Sequence, residues 1–143
     1  MSTMLFALQV PAMTEVAIAR TAALEAELSQ VEQADLTMHH SFHAGMYART
    51  VDVPAGCTIT GALIKIPTLL IISGDVQMFT GDGVVRLSGY NVMQAAAHRK
   101  QAFLALADTA ITMLFATNAA TVDEAEREFT DEYEKLTTRK DQP

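Results

Sequence analysis

The feature that most constrains this chain is a series of eight short apolar runs between residues 45 and 117. The runs are Met46–Val53, Thr58–Ile66, Thr68–Ser73, Val76–Thr80, Val84–Leu87, Asn91–Ala95, Ala102–Leu106 and Ala110–Thr117. They are separated by Pro54-Ala55-Gly56, Pro67, Gly74-Asp75, Gly81-Asp82-Gly83, Gly89 and Ala107-Asp108. Gly and Asp adopt the conformations that close hairpins. Regularly spaced short strands with no helix between them predict an antiparallel barrel or sandwich.

The segments on either side of the strands have helical patterns. Small or apolar residues recur every three or four positions within residues 14–33, which predicts a helix that follows an apolar arm at 1–13. Thr121 and Glu124 form a capping box, and an acidic helix is predicted over 121–136 before a polar tail at 137–143. We therefore expect a single domain over residues 1–143, with the barrel at 45–117 between two helices.

Charge is distributed unevenly along the chain. The net charge is −7, with −4 on residues 1–35, +1 on 36–122 and −4 on 123–143. Binding to nucleic acid needs clustered Lys and Arg, so no nucleic-acid partner is expected. The apolar arm lacks a basic lead and is too short to span a bilayer, so we expect a cytoplasmic protein without membrane contact.

The glycine spacing resembles that of the cupin superfamily. Cupins carry a first motif of Gly, five residues, His-x-His, then Glu and a later Gly, and a second motif of Gly, five residues, Pro-x-Gly, two residues, His. The corresponding residues are Gly56, Ala62-Leu63-Ile64, Thr68 and Gly74 for the first motif, and Gly89, Ala95-Ala96-Ala97 and Lys100 for the second. The resemblance implies a mostly β fold, a cupin-type antiparallel β-barrel (jelly roll) with an N-terminal helix and an acidic C-terminal helix.

A further resemblance is to small cupin-like proteins encoded by tailed phages and prophages. The segments that carry it are His40-Ser41-Phe42, Gly45-Met46-Tyr47-Ala48-Arg49, Val53-Pro54-Ala55-Gly56 and Ile71–Val76. It covers residues 36–120 and extends in architecture to both helices. It implies a protein of the host cytoplasm or the virion.

The positions at which a cupin holds its metal carry different residues here. They are Ala62, Ile64, Thr68 and Lys100. A first-row metal needs three or four His, Cys or carboxylate ligands in one place, so we predict no metal, no cofactor and no catalytic residue. His39, His40 and His43 are interpreted as preceding the first strand, where His40 packs at the base of the barrel.

Four residues are candidates for binding an anionic ligand at the barrel mouth. They are His40, Tyr47, Arg49 and Lys100. Tyr47 and Arg49 alternate along one strand and so share a face. Arg presents a planar fork that matches carboxylate or phosphate. The alternative for Arg49 is an ion pair with an acid of a neighbouring subunit.

The hypothesis placed first is a non-enzymatic, metal-free phage or prophage protein that acts as a homo-oligomeric assembly or virion-associated module. Its partners are a second copy, joined by exchange of the apolar arm, and phage capsid proteins. The alternative is a protein that binds or sequesters a small anionic ligand, a nucleotide or a carboxylate, at the barrel mouth. A metal-dependent cupin enzyme comes third.

Overall fold

The computed structural model describes residues 9–80 and 83–136. The helices and strands are β1 (Gln9–Val10), α1 (Glu15–Leu28), β2 (Thr37–His43), β3 (Met46–Val53), β4 (Thr58–Thr60), β5 (Thr68–Thr80), β6 (Gly83–Ala95), β7 (Ala102–Ala105), β8 (Thr109–Ala116), α2 (Val122–Phe129) and a 3-10 turn (Tyr133–Lys135). Among these described helices, none is long and apolar enough to cross a membrane.

The strands form one curved sheet in the order β1-β6-β5-β8-β3-β2. Strand β7 pairs with both β5 and β4 and so folds the sheet over. The pairings between described strands are antiparallel except for that of β1 with β6, which makes the sheet mixed. Alternate residues of each strand face inward, where the main apolar core lies between β3, β5, β6, β7 and β8.

Strands β5 and β6 are each a single long strand, so the turns expected at Gly74-Asp75 and Gly89 are wrong. Gly74 lies opposite Gly89 within the hairpin. At this point β5 leaves β8, which it pairs with as far as Ser73, and joins β7 from Val76 onward. Gly74 has φ +148°, and a Cβ there would lie 2.7 Å from the Cα of Thr109. The glycine therefore permits a strand crossover instead of closing a turn.

The barrel begins at residue 37, earlier than the expected 45, because the histidine segment is a strand. His39, His40 and His43 all lie in β2, which pairs along its whole length with β3. The interpretation that these histidines precede the first strand is therefore wrong. Alternation turns His40 toward Tyr47, while His39 contacts the exposed Asp52 at 2.7 Å.

Both helices are shorter than their sequence patterns predict. Helix α1 ends at Leu28 instead of residue 33, because the Gln33 side chain donates to the Leu28 and Val31 carbonyls at 2.7 and 2.8 Å. Helix α2 ends at Phe129 instead of residue 136, because the Thr130 hydroxyl donates to the Leu63 carbonyl at 2.7 Å. The barrel thus captures the chain after α2 and holds it across one end of the barrel.

The apolar arm is described only from Gln9 onward. Residues 9 and 10 form β1, which pairs with β6 of the same chain and buries Val10 to 1% exposure. The eight strands expected from the sequence all lie within residues 45–117, so these two residues of the arm add a strand that was not predicted. The rest of the arm and the tail 137–143 lie outside the described residues.

Candidate functional site

A cavity of about 190 Å³ opens at the end of the barrel that α1 and the C-terminal segment cover. Its walls are mostly apolar and come from β3, β5, β7 and β8 and from the loops beside them. The apolar lining residues are Leu36, Met38, Val51, Ile59, Gly61, Ala62, Ile64, Leu70, Phe103, Ile111, Met113, Phe129 and Leu136. The polar ones are Glu25, Arg49, Thr60, Arg99, Gln101, Glu132 and Lys135. A few polar groups in an apolar pocket are typical of small-molecule sites.

Arg99 is a buried cation on the cavity wall. Its side chain donates to the Ala96 and Ile66 carbonyls at 2.5 and 3.4 Å and to the Thr68 hydroxyl at 2.7 Å. Only 2% of the residue is exposed, and within residues 9–80 and 83–136 no carboxylate forms an ion pair with it. Burial without a counterion lowers its pKa from 12.5 to about 10. The described part of the fold therefore supplies no counterion for this charge.

Gln101 lies two residues further along the chain and lines the same cavity. It is 6% exposed, and its Nε2 atom has no hydrogen-bond partner among the residues that the structure describes. Buried amide groups nearly always have a partner, because an unsatisfied donor loses its hydrogen bonds to water. Within the described residues, the cavity wall thus holds both a cation without a carboxylate partner and an amide donor without an acceptor.

Arg49 also lines the cavity, but the protein itself satisfies it. Its guanidinium donates to the carboxylate of Glu126 at 2.8 Å and to the Tyr47 hydroxyl at 3.3 Å, and it lies 5.3 Å from the centre of the Phe129 ring. Glu126 is fully buried on α2 of the same chain. The expected pair of Arg49 with an acid of a neighbouring subunit is therefore replaced by an ion pair within the same chain.

Tyr47 and His40 extend this network away from the cavity. Tyr47 is fully buried, and its hydroxyl lies 2.6 Å from His40 Nδ1. Burial and the Arg49 charge lower the pKa of His40, while burial raises the pKa of Tyr47. Neither residue lines the cavity. Tyr47 and His40, which were expected to contact a ligand, instead form a hydrogen-bonded chain that ends at the guanidinium of Arg49.

Lys100 closes the mouth of the cavity instead of lining it. Its ammonium is almost fully buried and donates to Glu25 of α1 at 3.1 Å and to Glu132 at 2.8 Å. Burial by itself raises the pKa of Glu132, but hydrogen bonds from Lys100 and the Leu63 amide outweigh it, so the pKa is lowered. Lys100 therefore joins the N-terminal helix to the C-terminal segment and has no free charge for a ligand.

The four predicted site residues thus separate into two groups. Arg49 is at the cavity with Tyr47 and His40 behind it, and Lys100 is at the mouth. Sequence reasoning missed Arg99 and Gln101. The sequence offers little signal for them, because both lie in the segment between β6 and β7, where only an isolated bridge from Arg99 to Ile64 fixes the backbone.

The residues at the cupin metal positions do not fit a metal. Ala62 and Ile64 line the cavity without donor atoms, and the hydroxyl of Thr68 is engaged by Arg99. The guanidinium of Arg99, which lies opposite Ile64, repels cations. In the described part of the chain, no three His, Cys, Asp or Glu side chains are grouped to hold a metal ion together.

Structural comparison places the architecture among known proteins. Salicylate 1,2-dioxygenase from Pseudaminobacter salicylatoxidans is similar over 81% of this chain and 35% of its own, with 12% identity and a TM-score of 0.51. KdgF from a Halomonas species is similar over 65% and 92%, with 16% identity and a TM-score of 0.49. A cupin superfamily protein from Desulfitobacterium hafniense is similar over 63% and 86%, with 14% identity and a TM-score of 0.48.

No family model and no curated protein matches the sequence. At these identities the structural likeness concerns the fold alone. The strand order and the two flanking helices confirm the predicted fold class: the chain is mostly β and has a cupin-like fold, which the salicylate dioxygenase shares at a TM-score of 0.51.

Proposed function

We propose that this protein binds a small organic molecule in the barrel cavity. The observation that carries the proposal is the buried Nε2 of Gln101, which finds no acceptor in residues 9–80 and 83–136, in a cavity whose other walls are mostly apolar. A buried donor without a partner is unfavourable, and a ligand that supplies an acceptor removes that cost. The role is binding, and the proposal assigns no catalytic residue.

The engagement of the cavity's charged groups supports binding over catalysis. The two carboxylates at the mouth, Glu25 and Glu132, both accept hydrogen bonds from Lys100. Arg49 is held by Glu126. General acid–base chemistry needs a titratable group that is free to exchange a proton with the substrate. Here those groups hold the fold together.

The size of the cavity restricts the ligand. A cavity of about 150 Å³ with apolar walls accommodates benzene, and the cavity here measures about 190 Å³. Pockets for drug-sized ligands begin near about 300 Å³. The ligand is therefore about the size of one substituted ring, which favours the carboxylate over the nucleotide among the ligands expected from the sequence.

A fragment screen with a matched pair of variants tests the proposal. Val51 lines the cavity, and Val51→Phe should fill it, whereas Val84→Phe makes the same change at an exposed site on β6. Small aromatic and aliphatic fragments should raise the melting temperature of the wild type and of Val84→Phe, because they bind only the folded state. Val51→Phe should abolish the shift. Shifts that persist unchanged in Val51→Phe would contradict the proposal.

A second candidate function is self-association, which the sequence analysis placed first. The outer face of the sheet carries a patch made of Leu69, Ile71, Tyr90, Val92 and Leu114, which are neighbours across β6, β5 and β8. Tyr90 is 70% exposed, Val92 44% and Leu69 38%. Contiguous exposed apolar residues mark interaction surfaces. The patch contains no charged residue, which suits a second copy of the same face.

The association can be tested separately from ligand binding. Val92→Glu should convert a dimer into a monomer at micromolar concentration, because two unpaired charges would be buried at a two-fold interface. Val84→Glu, on the same strand but outside the patch, should leave the mass unchanged. A wild-type mass equal to that of one chain by light scattering would contradict this candidate. A role in phage or prophage assembly stays a prediction from the sequence.

A further inference from the structure

We infer that the ligand is a monocarboxylate with an uncharged apolar body of about one ring, and that Arg99 and Gln101 bind its carboxylate. The inference rests on the proposed binding function and adds the chemical class of the ligand. It shifts the anion site from Arg49 and Lys100, where the sequence predicted it, to the two residues that flank Lys100 in the segment between β6 and β7 and line the cavity.

The charges around the cavity show which cation needs a ligand. Arg49 is neutralised by Glu126 at 2.8 Å. At the mouth, Lys100 and Lys135 are balanced by two acids, since Lys100 contacts Glu25 and Glu132 and Lys135 contacts the same pair at 4.0 and 3.3 Å. Arg99 is left without a carboxylate among the described residues, so the described part of the site carries one net positive charge.

That single excess charge selects a monoanion. A monocarboxylate brings the net charge of the site to zero, whereas a phosphate dianion leaves one negative charge buried among apolar walls. Buried charges are costly unless each has a counterion. A ligand ammonium group is disfavoured for the same reason, because Glu25 and Glu132 are already engaged by Lys100.

The hydrogen-bonding capacity of Arg99 also fits a carboxylate. Its three described hydrogen bonds leave two of its five N–H groups for another acceptor. Arginine presents its N–H groups as a planar fork that matches the two oxygens of a carboxylate. The Gln101 amide, on the same cavity wall, supplies a further donor. Neutral acceptors would satisfy Gln101 but would leave the Arg99 charge uncompensated.

The rest of the cavity specifies an apolar body for the ligand. The walls beside the two donors are the side chains of Val51, Leu70, Phe103, Ile111 and Met113. Such walls reward the burial of a phenyl ring or a short alkyl chain and penalise hydroxyl groups that find no partner. Sugars and hydroxy acids are therefore poor ligands.

Matched pairs of ligands test the inference. Benzoate and benzamide, and hexanoate and hexanamide, have nearly the same shape but differ in charge. Titration of the wild type at neutral pH by calorimetry should give affinities about tenfold or more higher for each carboxylate than for its amide, because charge-assisted hydrogen bonds are the stronger ones. Phenyl phosphate, which is mainly a dianion at this pH, should bind more weakly than benzoate.

A near-isosteric variant tests the assigned residues without removing the bonds that Arg99 makes to the fold. Gln101→Glu places a carboxylate beside Arg99 and supplies the missing counterion from within the protein. It should weaken benzoate binding by about tenfold or more and change benzamide binding by less than about threefold. Gln101→Leu, which removes the amide without adding a charge, should weaken benzoate binding less than Gln101→Glu does.

The outcomes separate the inference from the function on which it rests. Equal binding of benzoate and benzamide, or tighter binding of phenyl phosphate, would overturn the monocarboxylate inference while leaving a ligand-binding cavity. Unchanged benzoate affinity in Gln101→Glu would overturn the assigned residues. If neither member of any pair binds and Val51→Phe behaves as the wild type does in the fragment screen, the proposed function fails as well.

Discussion

Two arginines line one cavity, and their surroundings differ. Arg49 is held between Glu126, Tyr47 and Phe129, so that its charge is neutralised within the fold. Arg99 donates to two backbone carbonyls and a hydroxyl, all of them neutral. The first arrangement is complete without a ligand and the second is not. The difference teaches that a buried charge marks a binding site only where the protein provides no counterion for it.

The pKa of Arg99 gives the scale of this difference. A fall from 12.5 to about 10 corresponds to about 3 kcal/mol that disfavours the charged form in the fold. Because the folded pKa is lowered, this cost is fully present at neutral pH and is relieved only as the pH rises above about 10. In the proposed complex, the ligand carboxylate offsets this cost at neutral pH by pairing with the Arg99 guanidinium.

The largest expected loss of stability comes from breaking the buried ion pair between Arg49 and Glu126. Glu126→Leu leaves the Arg49 cation buried without its partner, and removing one member of a buried ion pair costs about 3–5 kcal/mol. The free energy of unfolding from urea denaturation should fall by that amount. Glu134→Leu is the control, because Glu134 is exposed and forms no ion pair with another described residue. It should change the free energy of unfolding by less than about 0.5 kcal/mol. A loss below about 1 kcal/mol in Glu126→Leu would show that Arg49 does not depend on Glu126.

The next largest loss of stability is expected at the mouth of the cavity, where Lys100 pairs with two glutamates. Lys100→Met removes the cation shared by Glu25 and Glu132 and should lower the free energy of unfolding by about 2 kcal/mol. Lys65→Met is the matched control, because the ion pair of Lys65 with Asp131 is exposed and should contribute less than about 1 kcal/mol. Equal losses in the two variants would mean that burial adds nothing to the Lys100 pairs.

Acid should release part of the mouth contribution. The folded pKa of Glu132 is lowered, so its stabilising effect is present above its unfolded pKa and is lost as the pH falls through the folded value. As the pH falls below the ordinary pKa of 4.5 and through the lower folded value, the wild type should lose more free energy of unfolding than Glu132→Gln does, as measured by urea denaturation at each pH. Parallel curves for the two proteins would contradict the role of Glu132.

The smallest expected change in stability is that of Arg99→Met, and it gives the most direct comparison of the two arginines. Arg99→Met removes three hydrogen bonds but also removes the uncompensated charge, so the free energy of unfolding should change by no more than about 1 kcal/mol. Arg49→Met leaves Glu126 alone and should cost several times as much. If thermal or urea unfolding shows equally large losses for the two variants, the two arginines are equivalent and the comparison fails.

Local chemistry allowed part of this fold to be predicted. Strand β3 was expected at Met46–Val53, and the structure has it at those bounds, because alternation and a Pro-containing turn define both ends. Gly74 and Gly89 misled the prediction, because a glycine that admits a crossing strand has the same sequence signature as one that closes a turn. Such a choice depends on Thr109, which lies 35 positions further along the chain.

The candidate site was harder to predict than the fold. Lys100 was selected because the motif spacing places it at a ligand position, but Arg99 is the residue opposite Ile64 in the structure. A shift of one residue in a strand exchanges the inner and outer faces. The pairing of Arg49 with Glu126 joins residues far apart in the sequence, and no local pattern identifies which of eight acids in the C-terminal segment is buried.

The bridge that Lys100 forms between Glu25 and Glu132 has a consequence for the order in which the protein matures. Strands β2 to β8 all precede α2 and Glu132 in the chain, so they are synthesised first. The mouth therefore cannot close until Glu132 has been made and has left the ribosome. A ligand that is present in the cell then favours the finished chain over every shorter nascent form, because only the finished chain encloses it.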